Sequence, residues 1–194
     1  MMQALVFATN NEHKIQEVKA VLGDSFSIRS LQDIGCTEEL PETSPTIVGN
    51  ALEKARYVYQ HYQANCFADD SGLEIDALDG EPGVHTAYYS GSRDADTNNN
   101  LVLQKLHGQN NRKARFRTVI ALLLDGKEFL FEGIVEGHIA LEKRGAGGFG
   151  YDPIFVPDGQ EQTFAELPPQ LKTQISHRAR ATQQLIAFLA KLPR

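Results

Sequence analysis

Residues 116–136 read FRTVIALLLDGKEFLFEGIVE. Two apolar, β-rich runs, 116–124 and 128–136, are joined through Asp125-Gly126. An Asp-Gly pair between such runs is a strong hairpin signal, because both central residues of a type I′ turn take positive φ. A long hairpin late in the chain predicts antiparallel sheet. Upstream the pattern differs. Residues 4–8, ALVFA, form a continuous apolar run, the mark of a strand buried on both faces. Thr9-Asn10-Asn11-Glu12-His13-Lys14 follows, and then Ile15, Val18, Val21 and Leu22 recur at helical spacing. Strand–helix alternation early and a hairpin late together predict an α/β fold, a mixed sheet with helices packed on it.

A chain of 194 residues suits one domain with a sizeable core. The composition, 41% hydrophobic and 23% charged, is that of a globular protein. A formal net charge of −6 argues against nonspecific nucleic-acid binding, which needs dense Lys/Arg surfaces. No apolar run reaches membrane-spanning length, and MMQALVFATN lacks a signal peptide's basic start and cleavage site. Cys36 and Cys66 form neither a CxxC pair nor a disulfide framework. A cytoplasmic protein without membrane or nucleic-acid partners is the expectation.

Several stretches carry possible chemistry. In 67–83, FADDSGLEIDALDGEPG, Asp69, Asp70 and Ser71 follow an apolar run, and Gly72 is expected to turn the backbone. Adjacent carboxylates repel unless a positive charge lies beside them. A hard cation with oxygen ligands, such as Mg²⁺, meets that need; an acidic hairpin turn is the plainer reading. After residues 4–8, the turn into the first helix, with free N–H groups and Lys14 nearby, is either an anion site or an ordinary capped turn. A second strand is expected over 26–31. The second helix is expected to start with Ser44 as cap and Pro45 at its first position. Its apolar face, Ile47, Ala51, Ala55, Val58, Tyr59 and Tyr62, leaves Lys54 and Arg56 off the core. A third helix, capped by Asp94 or Asp96, carries Asn98-Asn99-Asn100 as exposed polar surface.

Residues 144–153, RGAGGFGYDP, formally contain GxGxxG at Gly145, Gly147 and Gly150. Pro153 and a strand-like run follow instead of a helix, which excludes the dinucleotide-binding reading. What remains is a glycine loop displaying two aromatics and a carboxylate, for ligand stacking or as plain structure. Lys172 lies after Pro168-Pro169. Ser176-His177-Arg178 opens a final helix with Thr182, Leu185, Ile186 and Leu189 on one face. His177 and Arg178 can both donate to carbonyl or phosphate oxygens.

Taken together, the chain resembles the inosine triphosphate pyrophosphatases. The resemblance rests on ATNNEHK (8–14), NALEKA (50–55), ADDSGL (68–73), PGV (82–84), GGFGYDP (147–153) and SHR (176–178), in that order along nearly the whole chain. It implies a single domain, 1–194, with an elongated mixed sheet flanked by helices and two lobes around an active-site cleft. It also implies a Mg²⁺-dependent homodimer that hydrolyses dITP, ITP and XTP to the monophosphate and pyrophosphate. Carried over by position, Asp70 resembles the catalytic proton acceptor and a metal ligand, with Glu42 or Asp69 assisting. Thr9, Asn10, Asn11 and Lys14 resemble the triphosphate-binding turn, Ser71 a substrate contact, and Lys54 and Lys172 phosphate-side lysines. Phe149, Gly150, Tyr151 and Asp152, with His177 and Arg178, match the base pocket. Two positions depart: Asn10 replaces a common glycine, and Gly49 stands where an acid often precedes Asn-Ala.

The rival readings are a pyrophosphatase for other altered or pyrimidine nucleotides, a phosphatase, and a nucleotide-binding module without catalysis. A substrate panel with pyrophosphate detection separates the first, product identity the second, and Mg²⁺-dependent pyrophosphate release excludes the third.

Overall fold

The computed structural model describes residues 4–22 and 27–192. Among these, seven strands form one sheet: β1 (Leu5–Phe7), β2 (Ile28–Arg29), β3 (Cys66–Ile75), β4 (Pro82–Gly83), β5 (Lys113–Leu124), β6 (Lys127–Ile139) and β7 (Phe155–Pro157). Their order is β2-β1-β3-β5-β6-β7, with β4 added on β3. β1 runs parallel to β2 and β3, whereas β4 is antiparallel to β3 and β7 to β6. The sheet is therefore mixed, as the two halves of the sequence predict. Five helices flank it: α1 (Glu12–Leu22), α2 (Ile47–Tyr62), α3 (Ala95–Lys105), α4 (Pro169–Ile175) and α5 (His177–Leu189). No helix among the described residues is long and apolar enough to cross a membrane.

Local chemistry explains most of the element ends. Asp125 (φ 50°) and Gly126 (φ 77°) make the positive-φ turn that joins β5 to β6, as their sequence requires. Asn11 caps α1, its Oδ1 accepting from the N–H groups of His13 (3.0 Å) and Lys14 (3.2 Å). Asp94 caps α3 by accepting from Thr97 N–H at 2.8 Å. For α2 the cap is Thr46 rather than Ser44, and the helix begins at Ile47. A Cβ on Gly49 would lie 1.8 Å from Ser44 Oγ, so Ser44 would have to shift to admit a side chain there.

The chain divides into two compact units. The first comprises Met1–Asp70, Thr118–Gly133 and His177–Arg194; the second comprises Ser71–Arg117 and Ile134–Ser176. The first is centred on Phe7, Val18, Phe67, Ile120, Leu122 and Leu185. Phe7 and Phe67 stack at 4.5 Å, and α1 packs on α5. The second is centred on Leu73, Ile75, Val102, Phe116, Phe155 and Phe164.

Gly133 in β6 lets α5 lie directly on the strand. A Cβ at this position would meet the His177 carbonyl oxygen at 1.9 Å and the Ala181 nitrogen at 2.6 Å. Gly133→Ala is expected to destabilise the protein by about 1–3 kcal/mol, as overpacking does. The midpoint of chemical denaturation measures this, and an unchanged midpoint would contradict the close approach.

Three further expectations need correction. Gly72 does not turn the chain: β3 runs unbroken through Asp69, Asp70, Ser71 and Gly72. The bend comes later, in a 3-10 turn at Asp76–Leu78 and at Asp79-Gly80, before β4 pairs back on Leu73 and Glu74. Lys54 is not off the core face of α2; it is 5% exposed. Asn98 and Asn99 are 3% and 2% exposed, because they bind loop carbonyls and amides. The expected second strand begins at Phe26, which lies outside the described residues; its described part is Ile28–Arg29.

Candidate active site

Consecutive residues on a strand point to opposite faces, so Asp69 and Asp70 in β3 meet different surroundings. Asp69 is fully buried, and each of its oxygens faces a cation. Oδ1 accepts from Lys14 Nζ at 3.1 Å and Oδ2 from Arg178 Nε at 3.0 Å. Burial alone would raise its pKa, but the charges of Lys14, Arg178 and Lys54 outweigh that and hold it well below the ordinary carboxylate range. Lys14 in turn is lowered by burial, against the pull of Asp69. The Arg178 guanidinium also donates to Glu17 through Nη1. α1 thus brings Lys14 and Glu17 to the same cluster from positions three residues apart, which share a helix face.

Asp70 is held differently. Lys54 Nζ and Asn50 Nδ2 both approach it at 3.4 Å, long for charge-assisted bonds. Lys54 makes its close contact with Glu42 instead. Burial pushes the Asp70 carboxyl above its usual value, and Glu42 and Asp69 add to this, while Lys54 and Lys14 only partly offset it. The Lys54 ammonium is penalised by burial but ends raised, because Asp70, Asp69 and Glu42 surround it. A carboxylate with raised proton affinity and loosely engaged oxygens suits proton transfer.

These groups also bear on a cation. Both oxygens of Asp69 are bound to basic side chains, so it does not fit as a direct ligand. Asp70 and Glu42 converge on Lys54 and offer hard oxygen donors. Among the described residues no three acidic, histidine or cysteine side chains gather as a cation site. One or two carboxylates completed by substrate phosphates is, however, the usual way of holding Mg²⁺, and Asp70 with Glu42 fits it.

In the turn before α1, Thr9 Oγ1 accepts from Asn11 N–H at 3.2 Å, and Asn10 is exposed. Two of the N–H groups expected to face an anion are already taken by Asn11. Anion binding here would therefore rest more on Lys14 than on the helix end. Further along, the hydroxyl of Thr118 and Nδ1 of His177 share a buried hydrogen bond of 2.5 Å.

In the second unit, Ser71 follows Asp70 in β3 and is half-buried. The glycine loop is closed by Asp152, whose Oδ2 accepts from Phe149 N–H at 2.7 Å and from Lys172 Nζ at 2.6 Å. Lys172 Nζ also lies 4.8 Å from the centre of the Phe149 ring, a cation–π distance. The Gly150 carbonyl accepts from Asn99 Nδ2 at 2.9 Å. The loop does not display two aromatics. Tyr151 is 3% exposed, packs in the core, and donates its hydroxyl to the Thr86 carbonyl at 2.9 Å. Phe149 remains as the aromatic face.

Asn50, Glu17 and Thr118 were not singled out by sequence reasoning, and Asn99 was read as exposed surface. Asn50 lies within the NALEKA stretch and Glu17 is three residues from Lys14, so both carried a signal. Thr118 had none: it is one more residue of an apolar strand.

The chain carries a buried acid–base cluster on β3 of a mixed α/β sheet, and its sequence shows that it belongs to the Ham1 family, whose model matches residues 5–188. It is 53% identical over 186 residues to a dITP/XTP pyrophosphatase of Flavobacterium johnsoniae, covering 95% of this chain and 97% of that one. A Bacillus subtilis protein of the same name is 43% identical over 194 residues, covering 97% and 98%. Among solved structures, a HAM1 protein from Coxiella burnetii superposes with a TM-score of 0.91 at 36% identity, covering 98% of this chain and all of that one.

Proposed function

We propose that this protein is a nucleoside-triphosphate pyrophosphatase that hydrolyses dITP, ITP and XTP to the monophosphate and pyrophosphate, clearing deaminated purines from the nucleotide pool. Family membership and near-full-length similarity to proteins named for that activity support the reading. The observation that carries it is Asp70, a buried carboxylate of raised proton affinity beside buried Lys54 and half-buried Lys14.

In this reading Asp70 accepts the proton of the water that attacks the α-phosphorus in line. Lys14 and Lys54 face the negative charge that builds on the leaving pyrophosphate. Mg²⁺, held by Asp70 and Glu42, would neutralise phosphate charge and polarise the bond that breaks. Asp69 serves by locating Lys14 and Arg178, not by reacting. Thr9, Asn10, Asn11 and Ser71 are assigned contacts to the phosphates and sugar, and Lys172 remains a phosphate-side lysine.

The base is assigned to Phe149, which offers a stacking face, and to the Gly150–Asp152 backbone and His177. Hypoxanthine and xanthine carry an acceptor at position 6 where adenine carries a donor. A buried donor left facing a donor can cost ~10⁴-fold in discrimination. Arg178, with Nε and Nη1 committed to carboxylates, is assigned to Asp69 rather than to the base. The homodimer that the resemblance implies and the cytoplasmic location expected from the sequence belong to this proposal; sedimentation at several protein concentrations tests the first.

Product analysis tests the reaction. Incubation of ITP with the protein and Mg²⁺ is expected to give inosine monophosphate and pyrophosphate in equal amounts. Orthophosphate with inosine diphosphate would instead indicate a phosphatase, and no turnover a binding module.

A further inference from the structure

Building on the proposed reading of the base by His177, the geometry points to Thr118 as the residue that sets its hydrogen-bonding sense. We propose that the buried Thr118 hydroxyl donates to His177 Nδ1 and so leaves the ring hydrogen on Nε2, making Thr118 a positioning residue for 6-oxopurine selectivity.

A neutral imidazole has one donor nitrogen and one acceptor nitrogen, and the partner of one fixes the role of the other. Thr118 Oγ1 lies 2.5 Å from Nδ1. Thr118 is 0% exposed and His177 is 7% exposed, so bulk water does not compete for the bond. A hydroxyl can donate to Nδ1; with Nδ1 as acceptor, Nε2 is the donor. An Nε2–H matches the position-6 oxygen of hypoxanthine or xanthine and opposes the amino group of adenine.

The backbone of His177 is fixed as well. Its carbonyl lies where a side chain on Gly133 would stand, and the next residue, Arg178, is tied to Asp69 and Glu17. Strand β5 therefore sets the ring while β6 and β3 set the helix that carries it. A reader held on rigid elements loses little entropy when it engages its ligand.

The test compares kcat and KM for ITP and ATP in the wild type, Thr118→Val, Thr118→Ser and His177→Ala, with Mg²⁺ present. Valine keeps the shape and removes the hydroxyl. The expected result is a roughly tenfold fall in the ITP/ATP ratio of kcat/KM in Thr118→Val, the order expected for one hydrogen bond. The fall should be carried mainly by KM for ITP, and Thr118→Ser should restore it. A purely structural role would lower both substrates together and spare the ratio. An unchanged ratio in Thr118→Val beside an altered one in His177→Ala overturns the role of Thr118 alone. An unchanged ratio in His177→Ala overturns the base reading and this inference with it. If Thr118→Val does not fold, ring ¹⁵N chemical shifts of His177 in the wild-type chain decide the matter. The Nε2–H tautomer is expected, and the Nδ1–H tautomer would refute the assignment.

Discussion

Asp70→Asn should lower ITP turnover by at least ~10²-fold, the loss that follows removal of a general base. Asparagine keeps the size of the side chain, and its carbonyl oxygen can still accept from Lys54 or Asn50, each at 3.4 Å. What it cannot do is take a proton from water. The substitution should not cost stability. The carboxyl of Asp70 is raised in the folded protein, chiefly by burial, so folding disfavours its ionised form. That penalty is absent below the ordinary aspartate pKa of ~3.9 and is fully present once pH exceeds the raised value. At neutral pH the asparagine variant should therefore match or exceed the wild type in thermal midpoint while losing turnover. Near-normal turnover would remove Asp70 from the mechanism.

Asp69→Asn should behave in the opposite way. Here the carboxylate is the shared counter-charge of buried Arg178 and half-buried Lys14, and breaking a buried pair costs about 3–5 kcal/mol. For a chain of this size that corresponds to a fall of roughly 10 °C in thermal midpoint. The sign with pH is also reversed. Asp69 is held below its unfolded value by Lys14, Arg178 and Lys54 against the cost of burial. Its contribution is present above about pH 4 and is lost as pH falls toward the depressed value. The gap between Asp69→Asn and wild type in thermal midpoint should therefore narrow in acid. A variant as stable as wild type at pH 7 would show that Lys14 and Arg178 do not depend on Asp69.

Neighbouring carboxylates so different in environment explain what the sequence could and could not show. The hairpin at Asp125-Gly126, the strand before Asn11, and the helix that starts at His177 follow from local pattern and turn chemistry, and all are present. The family motifs mark where chemistry gathers. Local chemistry misleads where distant residues decide. Asp-Asp-Ser-Gly reads as a turn because each residue favours one, yet β3 passes through it, sustained by partners 55 and 109 residues away in sequence from Asp69. Lys54 lies on the buried side of α2 because Glu42 and Asp70 supply the counter-charge that a helical-face reading cannot include. Asn98 and Asn99 are buried because loop carbonyls at Ser92 and Gly150 accept from them. Tyr151, two residues beyond Phe149, turns into the core.

Selectivity between purines is the most direct test of the account. The measurement is pyrophosphate release from ITP, XTP and ATP by the wild-type protein with Mg²⁺, compared as kcat/KM. The account predicts that ITP and XTP exceed ATP by at least ~10²-fold, as buried donors facing position 6 require. Equal values for ITP and ATP would contradict it.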